Sequence, residues 1–457
     1  MLAYAEMTPG QPKLFAARAK SFLADLRLRL AAGDPALELQ LRLTFLDTAS
    51  TALGSLSTPE LIALQRQHAR VSPGSLRLPG FAKSLTPSGA ALVLAASACW
   101  DELVEGYAPA HGRPALHIVP ICMVLGQTIE AAMGGLFLGY ELGARIGEWY
   151  QVPLGEHVDG TWGTPAAALT AAALLDIGIE NEIAAISSAM CQMSRSLFGA
   201  LKEGASCRLL YPGLAAARGI DLAIAAAAGF TSPKDIDMDP VLSMIGKGII
   251  DLEPSTVLAI HSSYVKILPG ARHLHYAAEA AKQWHKKYGE NFGIGQNEFK
   301  RLQSSAIELH TYPEACKYCG NSNPTNRIQA QFSLVFAVAA TLRWGELKTD
   351  CFKEANLQDP ILQSLIRKIK LVPIDGEASR WAELVVVEDS HMALKARVDS
   401  LPGDPESPIS IQYRLAKAHA LLDPIVGRQD AAVLIEHWME APKTSSLWPS
   451  LSLIQKD

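Results

Sequence analysis

Apolar residues recur three and four positions apart from residue 39 to about residue 260, and Pro or Gly interrupts the pattern at intervals. This spacing places the apolar side chains on one face of a helix, so it predicts a first half that is helical almost throughout. Thr164 and Pro165 are predicted to open an Ala-rich helix that closes at Gly178, and residues 214–228 have a similar pattern. Because small side chains let helices approach closely, we expect tight packing between these two helices.

The pattern changes in the second half of the chain. A helix rich in charged residues is predicted at residues 276–288, and a further helix is predicted at residues 329–343. The short apolar runs IKLVPI and AELVVV are typical of strands, and the dipeptide Asp375-Gly376 between them is a turn signal. This mixture predicts an α+β region. Helical spacing returns after Pro408, so the last segment is expected to pack back on the first half.

A chain of 457 residues exceeds the usual size of one hydrophobic core, so two domains are expected. The patterns predict a fold that is mainly α, with a large all-helical domain at residues 1–260 and a smaller α+β domain at residues 261–394. Helices at about residues 395–457 are predicted to complete the helical domain. Residues 401–408 are interpreted as the linker loop before these helices.

Composition narrows the class of protein. Hydrophobic residues make up 49% of the chain and charged residues 19%, which is typical of a globular protein and excludes a largely disordered one. The net charge is -5, and no run of Lys or Arg stands out. Binding to a nucleic-acid backbone needs a basic surface, so nucleic acid is not expected as a partner.

Targeting signals and disulfides are not predicted. The start of the chain lacks a basic segment followed by an apolar run, and charged residues interrupt both of the most apolar stretches, at residues 118–139 and 214–230. We therefore expect a cytoplasmic protein that does not span a membrane. The seven cysteines are an odd number and lie mostly in apolar helical patterns, which favours reduced core thiols over a disulfide framework.

Several common catalytic motifs are absent. The sequence has no GxxxxGK[ST], HExxH or GxSxG motif and no complete dinucleotide fingerprint. The pair Cys316 and Cys319 has metal-ligand spacing, but it lacks the second pair that a metal site of this kind needs. We therefore expect no cofactor and no metal, which leaves acid–base chemistry by side chains as the main option.

Six segments carry a resemblance to a known family. The most specific one is GEHVDGTWGTPAAALTAAALLDIG at residues 155–178, where glycines and a histidine precede an Ala-rich helix. The others are LRLTFLDTASTALG, GYELGARIGEW, LLYPGLAAARGIDLAIAAAAGFTSP, KILPGARHLH and NRIQAQFSLVFAVAATLRWG. In this order, across roughly three hundred residues, they resemble the MmgE/PrpD family, which includes 2-methylcitrate dehydratase, cis-aconitate decarboxylase and iminodisuccinate epimerase.

The resemblance implies a fold and an activity. It implies a large all-helical domain plus a smaller α+β lid domain, with the active site in the cleft between them, and a homodimer. The implied activity is that of a cofactor-independent lyase or isomerase on a small carboxylic acid, by dehydration, decarboxylation or epimerisation. Negative charge then builds next to a carboxylate, so the site needs cations to hold it and a group such as His to move the proton.

The resemblance also selects candidate residues. The catalytic candidates are His157, His275 and His111. The candidates for substrate binding are Arg113, Arg208, Lys266, Arg272, Asp101 and Tyr211. Two alternatives stay open: His273 is as good a candidate as His275, and a family histidine corresponds to His111 or is replaced by Arg113, with His117 as a third candidate.

Three positions depart from the family pattern. Arg208 stands where the family has Lys, Tyr211 where it has His, and Phe336 where it has Tyr. Arg stays protonated, so it can clamp a carboxylate but cannot act as a base. These departures indicate a divergent member. The alternative hypothesis is a non-catalytic binding or scaffold homologue that kept the fold.

Overall fold

The computed structural model describes residues 14–78, 83–292, 300–376, 380–387 and 393–449. Residues 1–13 and 450–457, which the predicted helical domain includes at its two ends, lie outside the described residues. The expectation about the N-terminal start therefore concerns residues that are not described.

The first half is helical, as its apolar spacing predicts. Its helices are α1 (Phe15–Ala31), α2 (Pro35–Gly54), α3 (Pro59–Val71), α4 (Pro87–Trp100), α5 (Pro114–Leu125), α6 (Ile129–Trp149), α7 (Gly163–Leu174), α8 (Ile179–Met190), α9 (Phe198–Glu203), α10 (Leu210–Ala227) and α11 (Pro240–Ser243). Short strands interrupt them: β1 (Pro73–Leu76), β2 (Glu156–His157) and β3 (Ser196–Leu197). Strands β2 and β3 pair antiparallel.

The two Ala-rich helices, α7 and α10, pack closely against each other, as expected. Gly219 of α10 approaches the backbone of α7 so closely that an added Cβ would lie 2.6 Å from the carbonyl carbon of Ala167. The predicted start of α7 was wrong by a short distance. The helix begins at Gly163, and Thr164 lies in its first turn, where the hydroxyl donates to the Gly160 carbonyl (3.2 Å).

The second half combines helices with one sheet. Its helices are α12 (Arg272–Tyr288), α13 (Lys300–Ser304), α14 (Pro313–Cys319), α15 (Arg327–Ala330), α16 (Leu334–Trp344), α17 (Glu354–Leu357) and α18 (Pro360–Lys368). Its strands are β4 (Ala306–Thr311), β5 (Ile369–Pro373), β6 (Ala382–Val387) and β7 (Ala393–Val398). The fold is therefore mainly α with a small α+β part, as predicted.

The sheet has the order β5-β4-β6-β7, in which β4 is parallel to β5 and antiparallel to β6. The strands predicted at IKLVPI and AELVVV are confirmed as β5 and β6. They do not form a hairpin around Asp375-Gly376, because β4 lies between them. Strand β7 pairs antiparallel with β6 and continues to Val398, past residue 394, where the α+β domain was predicted to end.

Two hydrophobic cores support the sequence-based division into domains, whose exact boundaries stay a proposal. The first core contains residues from 15 to 260 and from 418 to 447. The second contains residues from 271 to 401, together with Leu201. The C-terminal helices α19 (Ile411–Val426) and α20 (Arg428–Glu440) contribute to the first core, and α19 packs on α2.

Lys417 of α19 ties the end of the chain to the first domain. Its ammonium donates to the Asp47 carboxylate (2.6 Å) and to the backbone carbonyls of Leu103 and Lys266, both at 2.9 Å. The side chain is nearly buried. One residue therefore joins helix α2, the segment after α4 and the segment that carries Lys266.

Among the described residues, one helix, Ser206–Ala227, is long and apolar enough to cross a membrane by length and composition. Half of it is buried inside the molecule, against α4 and α7. Core helices pass the same test, so this helix is weak evidence for a membrane span.

Candidate active site

A cavity of about 410 Å³ lies between the two hydrophobic cores, which is within the usual size range of ligand pockets. Three imidazoles line it: His111, His157 and His273. Five cationic side chains also line it: Arg113, Lys247, Lys266, Arg272 and Arg380. The sequence regions of both cores contribute to the wall, so the cavity occupies the cleft that the resemblance implied.

His157 is held by the short strand pair at the base of the cavity. The backbone N–H of Asp159 donates to its Nδ1 (3.1 Å). Burial lowers the pKa of His157 to about 4, so its imidazole is neutral at pH 7. Because Nδ1 accepts a hydrogen bond, the single ring proton lies on Nε2. The Nε2–H of His157 is therefore available to donate a hydrogen bond to a ligand.

His111 lies at a strained point of the backbone. Its φ is +51°, in the left-handed region, at the end of a single 3-10 turn that precedes α5. Burial lowers the pKa of His111, against the opposing charge of Glu314 across the cavity. No hydrogen bond to its imidazole is formed within the described part of the chain, so both ring nitrogens are available to a ligand.

A buried ion cluster forms one wall, and we use this name for Glu102, Asp159, Arg113, Arg208 and Lys266. Glu102, itself at φ +54°, accepts hydrogen bonds from Arg113 (2.8 Å), Arg208 (2.7 Å) and Lys266 (3.2 Å). Arg113 also pairs with Asp159. Burial opposes ionisation of Glu102, but the three cations outweigh it and lower its pKa to about 2. The cluster therefore holds three positive and two negative charges.

Lys266 is the member of this cluster whose charge is easiest to remove. Its ammonium donates to the Glu102 backbone carbonyl (2.8 Å), the Glu102 carboxylate and the Gly270 carbonyl (3.1 Å), which uses all three N–H bonds. Burial lowers the pKa of Lys266 to about 8, although the charge of Glu102 opposes this shift. Lys266 therefore titrates just above neutral pH.

Cys99 adds a possible metal ligand beside this cluster, since its sulfur and carboxylate oxygens of Glu102 and Asp159 lie within 4.8 Å of one another. The donor set does not fit a divalent cation. Guanidinium groups of Arg113 and Arg208 already occupy the carboxylates, and burial raises the pKa of Cys99 to about 11, so its sulfur stays a thiol.

The first turn of α12 brings Arg272 and His273 to the cavity. Arg272 pairs with Asp404 and lies over the ring of Tyr264, 5.0 Å from its centroid. His273 Nδ1 lies 2.6 Å from the Tyr312 hydroxyl, and burial lowers the pKa of His273 to about 3. Of the two alternatives that the sequence left open, His273 rather than His275 reaches the wall.

His275 lies behind this wall and is fully buried. Its Nδ1 accepts a hydrogen bond from Arg272 (3.0 Å), and burial lowers the pKa of His275 well below the usual value. The contact orients the Arg272 side chain. The catalytic role predicted for His275 stays a prediction, which this placement does not favour.

Three other predicted residues also lie outside the cavity wall. Arg208 is fully buried in the ion cluster, beneath the ring of Phe332 at 5.2 Å. Asp101 accepts hydrogen bonds from Ser55 (2.9 Å) and Arg327. Tyr211 donates its hydroxyl hydrogen to the Leu197 carbonyl (3.0 Å). Their predicted contacts with substrate stay predictions.

His117, the third histidine candidate, and Phe336, which stands where the family has Tyr, are both buried away from the cavity. His117 is fully buried, with Nδ1 at 3.1 Å from the Arg113 carbonyl and Nε2 accepting from the Gly160 N–H (3.0 Å). Both its ring nitrogens are therefore engaged. Phe336 is fully buried in the second core against Phe352, with ring centroids 5.0 Å apart.

Sequence reasoning missed several residues of the site. Asp159 follows His157 by two positions and was overlooked because only the glycines and the histidine of that segment were weighed. Glu102 directly follows the predicted residue Asp101, but its three cationic partners come from other parts of the chain. Lys247 and Arg380 belong to no recognised motif.

Comparison with protein-family models gives two matches. A model of the MmgE/PrpD N-terminal domain matches residues 22–240, and a model of the MmgE/PrpD C-terminal domain matches residues 269–440. A search of curated proteins gives no match. The two family models together cover most of the chain and both sides of the cavity.

Proposed function

Since the chain belongs to the MmgE/PrpD family, whose members are dehydratase- and lyase-like enzymes, we propose that it is a cofactor-independent lyase or isomerase that acts on a small carboxylic acid. The observation that supports this most is the cavity, in which neutral imidazoles lie beside an ion cluster with one excess positive charge. Proton transfer next to a carboxylate needs these two features together.

We assign the proton acceptor to His111. Its imidazole has no protein partner in the described residues, and its lowered pKa keeps it neutral, so it can take a proton from the carbon next to a carboxylate. His157 is assigned the opposite role. Its Nε2–H donates a hydrogen bond to the leaving group or to the enolate oxygen, and the proton that a leaving group needs comes from the His111 imidazolium formed by the abstraction.

The buried ion cluster would stabilise the intermediate. Negative charge that develops on the substrate meets a wall with one excess positive charge, whose side chains are buried and so little screened by water. Dehydration, decarboxylation and epimerisation begin or end at the same stabilised anion, so the proposal covers all three.

The test is solvent exchange. The protein is incubated in heavy water with a panel of small carboxylic acids, and deuterium uptake next to the carboxylate is followed by NMR. We expect uptake or turnover for at least one acid, and about a hundred- to ten-thousand-fold loss in His111→Ala. Exchange that persists unchanged in His111→Ala would contradict the assignment of the base.

The binding or scaffold alternative was motivated by Arg208 and Phe336. Both residues are fully buried and neither belongs to the cavity wall, so their replacement does not by itself remove a group from the cavity. The alternative gains support if acids raise the thermal stability of the protein but give neither exchange nor product. Turnover of any acid in the panel contradicts it.

We also propose that the protein is a homodimer. Large apolar side chains are exposed along α10 and the segment after it, including Leu214, Ile224, Phe230, Val241 and Met244. A second copy would remove this surface from water. Analytical ultracentrifugation should give about twice the chain mass of 49.1 kDa, and a monomer at micromolar concentration would contradict the proposal.

A further inference from the structure

The five cations of the cavity differ in whether a carboxylate neutralises them. Arg113 pairs with Glu102 and Asp159, Lys266 with Glu102, and Arg272 with Asp404. Lys247 and Arg380 also line the cavity, but within the described part of the chain neither forms an ion pair or a side-chain hydrogen bond. These two cations therefore have free donors that face ligand space.

The backbone holds Lys247 in place. Its N–H donates to the Trp149 carbonyl (2.9 Å), and the Trp149 indole N–H donates to the Gly248 carbonyl (2.6 Å). Gly246 packs so closely on Trp149 that a Cβ would lie 2.0 Å from the ring. These contacts fix the segment to the end of α6 and so define the position of the Lys247 backbone.

Arg380 is anchored on the opposite side of the cavity. It directly precedes Trp381, which is buried and whose carbonyl accepts a hydrogen bond from the Thr311 hydroxyl (2.7 Å). This bond fixes the start of β6 to β4. Lys247 therefore belongs to the helical side of the cleft and Arg380 to the sheet side.

The two cations act on the same region of the cavity. Both line the same cavity as His111, and in agreement with this placement both lower the pKa of its imidazole. Glu314 on α14 opposes them, but it forms no ion pair with either one in the described residues. Two like charges in one cleft repel each other, and an anion placed between them removes this repulsion.

We propose that Lys247 and Arg380 form an outer anion subsite that selects substrates with a second negative group. This inference rests on the proposed function and adds to it. The excess positive charge of the buried ion cluster takes the charge that develops at the reacting carbon. The outer subsite takes a second carboxylate, so a dicarboxylate or larger polyanion binds better than a monocarboxylate of the same length.

Equilibrium binding to matched acids tests the subsite. Butanedioate and butanoate have the same chain length and differ in one carboxylate, and their Kd values are measured by calorimetry. We expect Arg380→Gln and Lys247→Gln each to weaken butanedioate binding about tenfold and to change butanoate binding by less than about twofold. Lys353→Gln, an exposed cation outside the cavity, is the matched control and should change neither.

Removal of the opposing negative charge separates the subsite from simple structural damage. Glu314→Gln removes the opposing carboxylate, so it should tighten butanedioate binding, whereas a damaged fold would weaken it. Equal loss of both acids in Arg380→Gln and Lys247→Gln, or no loss of either, overturns the subsite and leaves the proposed function standing. A wild-type protein that binds neither these acids nor propane-1,2,3-tricarboxylate contradicts the proposed function itself, and the subsite with it.

Discussion

At the scale of single residues, one backbone amide determines how His157 can react. The N–H of Asp159 donates to Nδ1 of the imidazole, which leaves the proton on Nε2. For His157 to act as a base through Nε2, the proton would have to move to Nδ1 and face another N–H donor. The sequence predicted a proton-transferring histidine at this position, and the structure favours the role of donor for it.

Two substitutions of His157 test this role. His157→Ala removes the donor, and we expect kcat/KM to fall by about a hundred- to ten-thousand-fold. His157→Gln keeps an N–H donor of similar reach, so it should retain more activity than the alanine variant if hydrogen bonding dominates. Initial rates and the Kd of the acid are measured for both variants. An alanine variant with wild-type kcat/KM would refute the role.

The pH dependence should report Lys266. Its ammonium is charged below its pKa of about 8 and neutral above it, so the positive charge of the ion cluster falls as the pH rises through that value. We expect kcat/KM to decrease with an alkaline limb near pH 8. His157, with a pKa of about 4, should add no limb between pH 5.5 and 7.

Lys266→Arg is the matched variant for this prediction. Arginine keeps its charge throughout the range, so any remaining activity should lose the limb near pH 8. Since the larger side chain can disturb the buried site, Lys266→Met is measured as well and should also lack the limb. A limb at pH 8 in both variants would assign it to another group.

The sequence predicted some residues of the site and could not predict others. His111, His157, Arg113, Lys266 and Arg272 reach the cavity, because their short motifs fix a local backbone. His273 and His275 were not distinguishable. Residues two positions apart on a helix point in directions about 200° apart, so only one of these two histidines can face the cavity. The start of a helix can be predicted only to within a residue or two, which is too imprecise to tell which one it is. Long-range partners such as Asp404 leave no local signal.

At the scale of elements, glycine sets the distance between α7 and α10. We expect Gly219→Ala to destabilise the fold by about 1–3 kcal/mol, because the new methyl group would overlap the backbone of α7. Gly134→Ala on α6 is the control. Its Cβ would meet only a Leu30 methyl group at 3.9 Å, so the change should be neutral or stabilise by about 0.5–1 kcal/mol. Urea unfolding of both variants measures the difference, and equal stabilities would contradict close approach.

In the four-stranded sheet, two strands could be predicted from the sequence and two could not. Strands β5 and β6 are apolar runs that a reader of the sequence recognises. Strand β7 carries Lys395 and Arg397 and is mostly exposed at the edge of the sheet, so its sequence resembles a loop. Strand β4 is one of the two inner strands, yet Glu308 and His310 give it a mixed sequence. Pairing with neighbours from elsewhere in the chain, rather than local preference, makes these two segments strands.

At the scale of the whole molecule, the division into a helical part and an α+β part was predictable because apolar spacing changes between them. Their relative placement was not predictable from spacing, because it depends on contacts such as those of Arg272 with Asp404 and of Lys417 with three separate segments. The expectation of a cleft between the two parts came from the family resemblance.

Lys417 allows this assembly to be tested. Lys417→Met leaves the buried Asp47 carboxylate without its cation, and we expect a loss of about 3–5 kcal/mol in the free energy of unfolding. Asp47→Asn combined with Lys417→Met removes the isolated charge, so it should recover part of that loss. Urea unfolding of the single and double variants checks this. A double variant no more stable than Lys417→Met would exclude charge isolation as the cause.

The position of Lys417 near the end of the chain implies an order in which its contacts form during synthesis. A ribosome releases Arg113, which precedes α5, and the cavity residues of α12 long before it releases α19, so Asp47 and the Lys266 segment lack their contacts with Lys417 for much of translation. The cleft between the two cores therefore gains these contacts only when synthesis of the chain has almost ended. Truncated translation products that lack α19 should consequently be targets for chaperones and proteases rather than partly active enzymes.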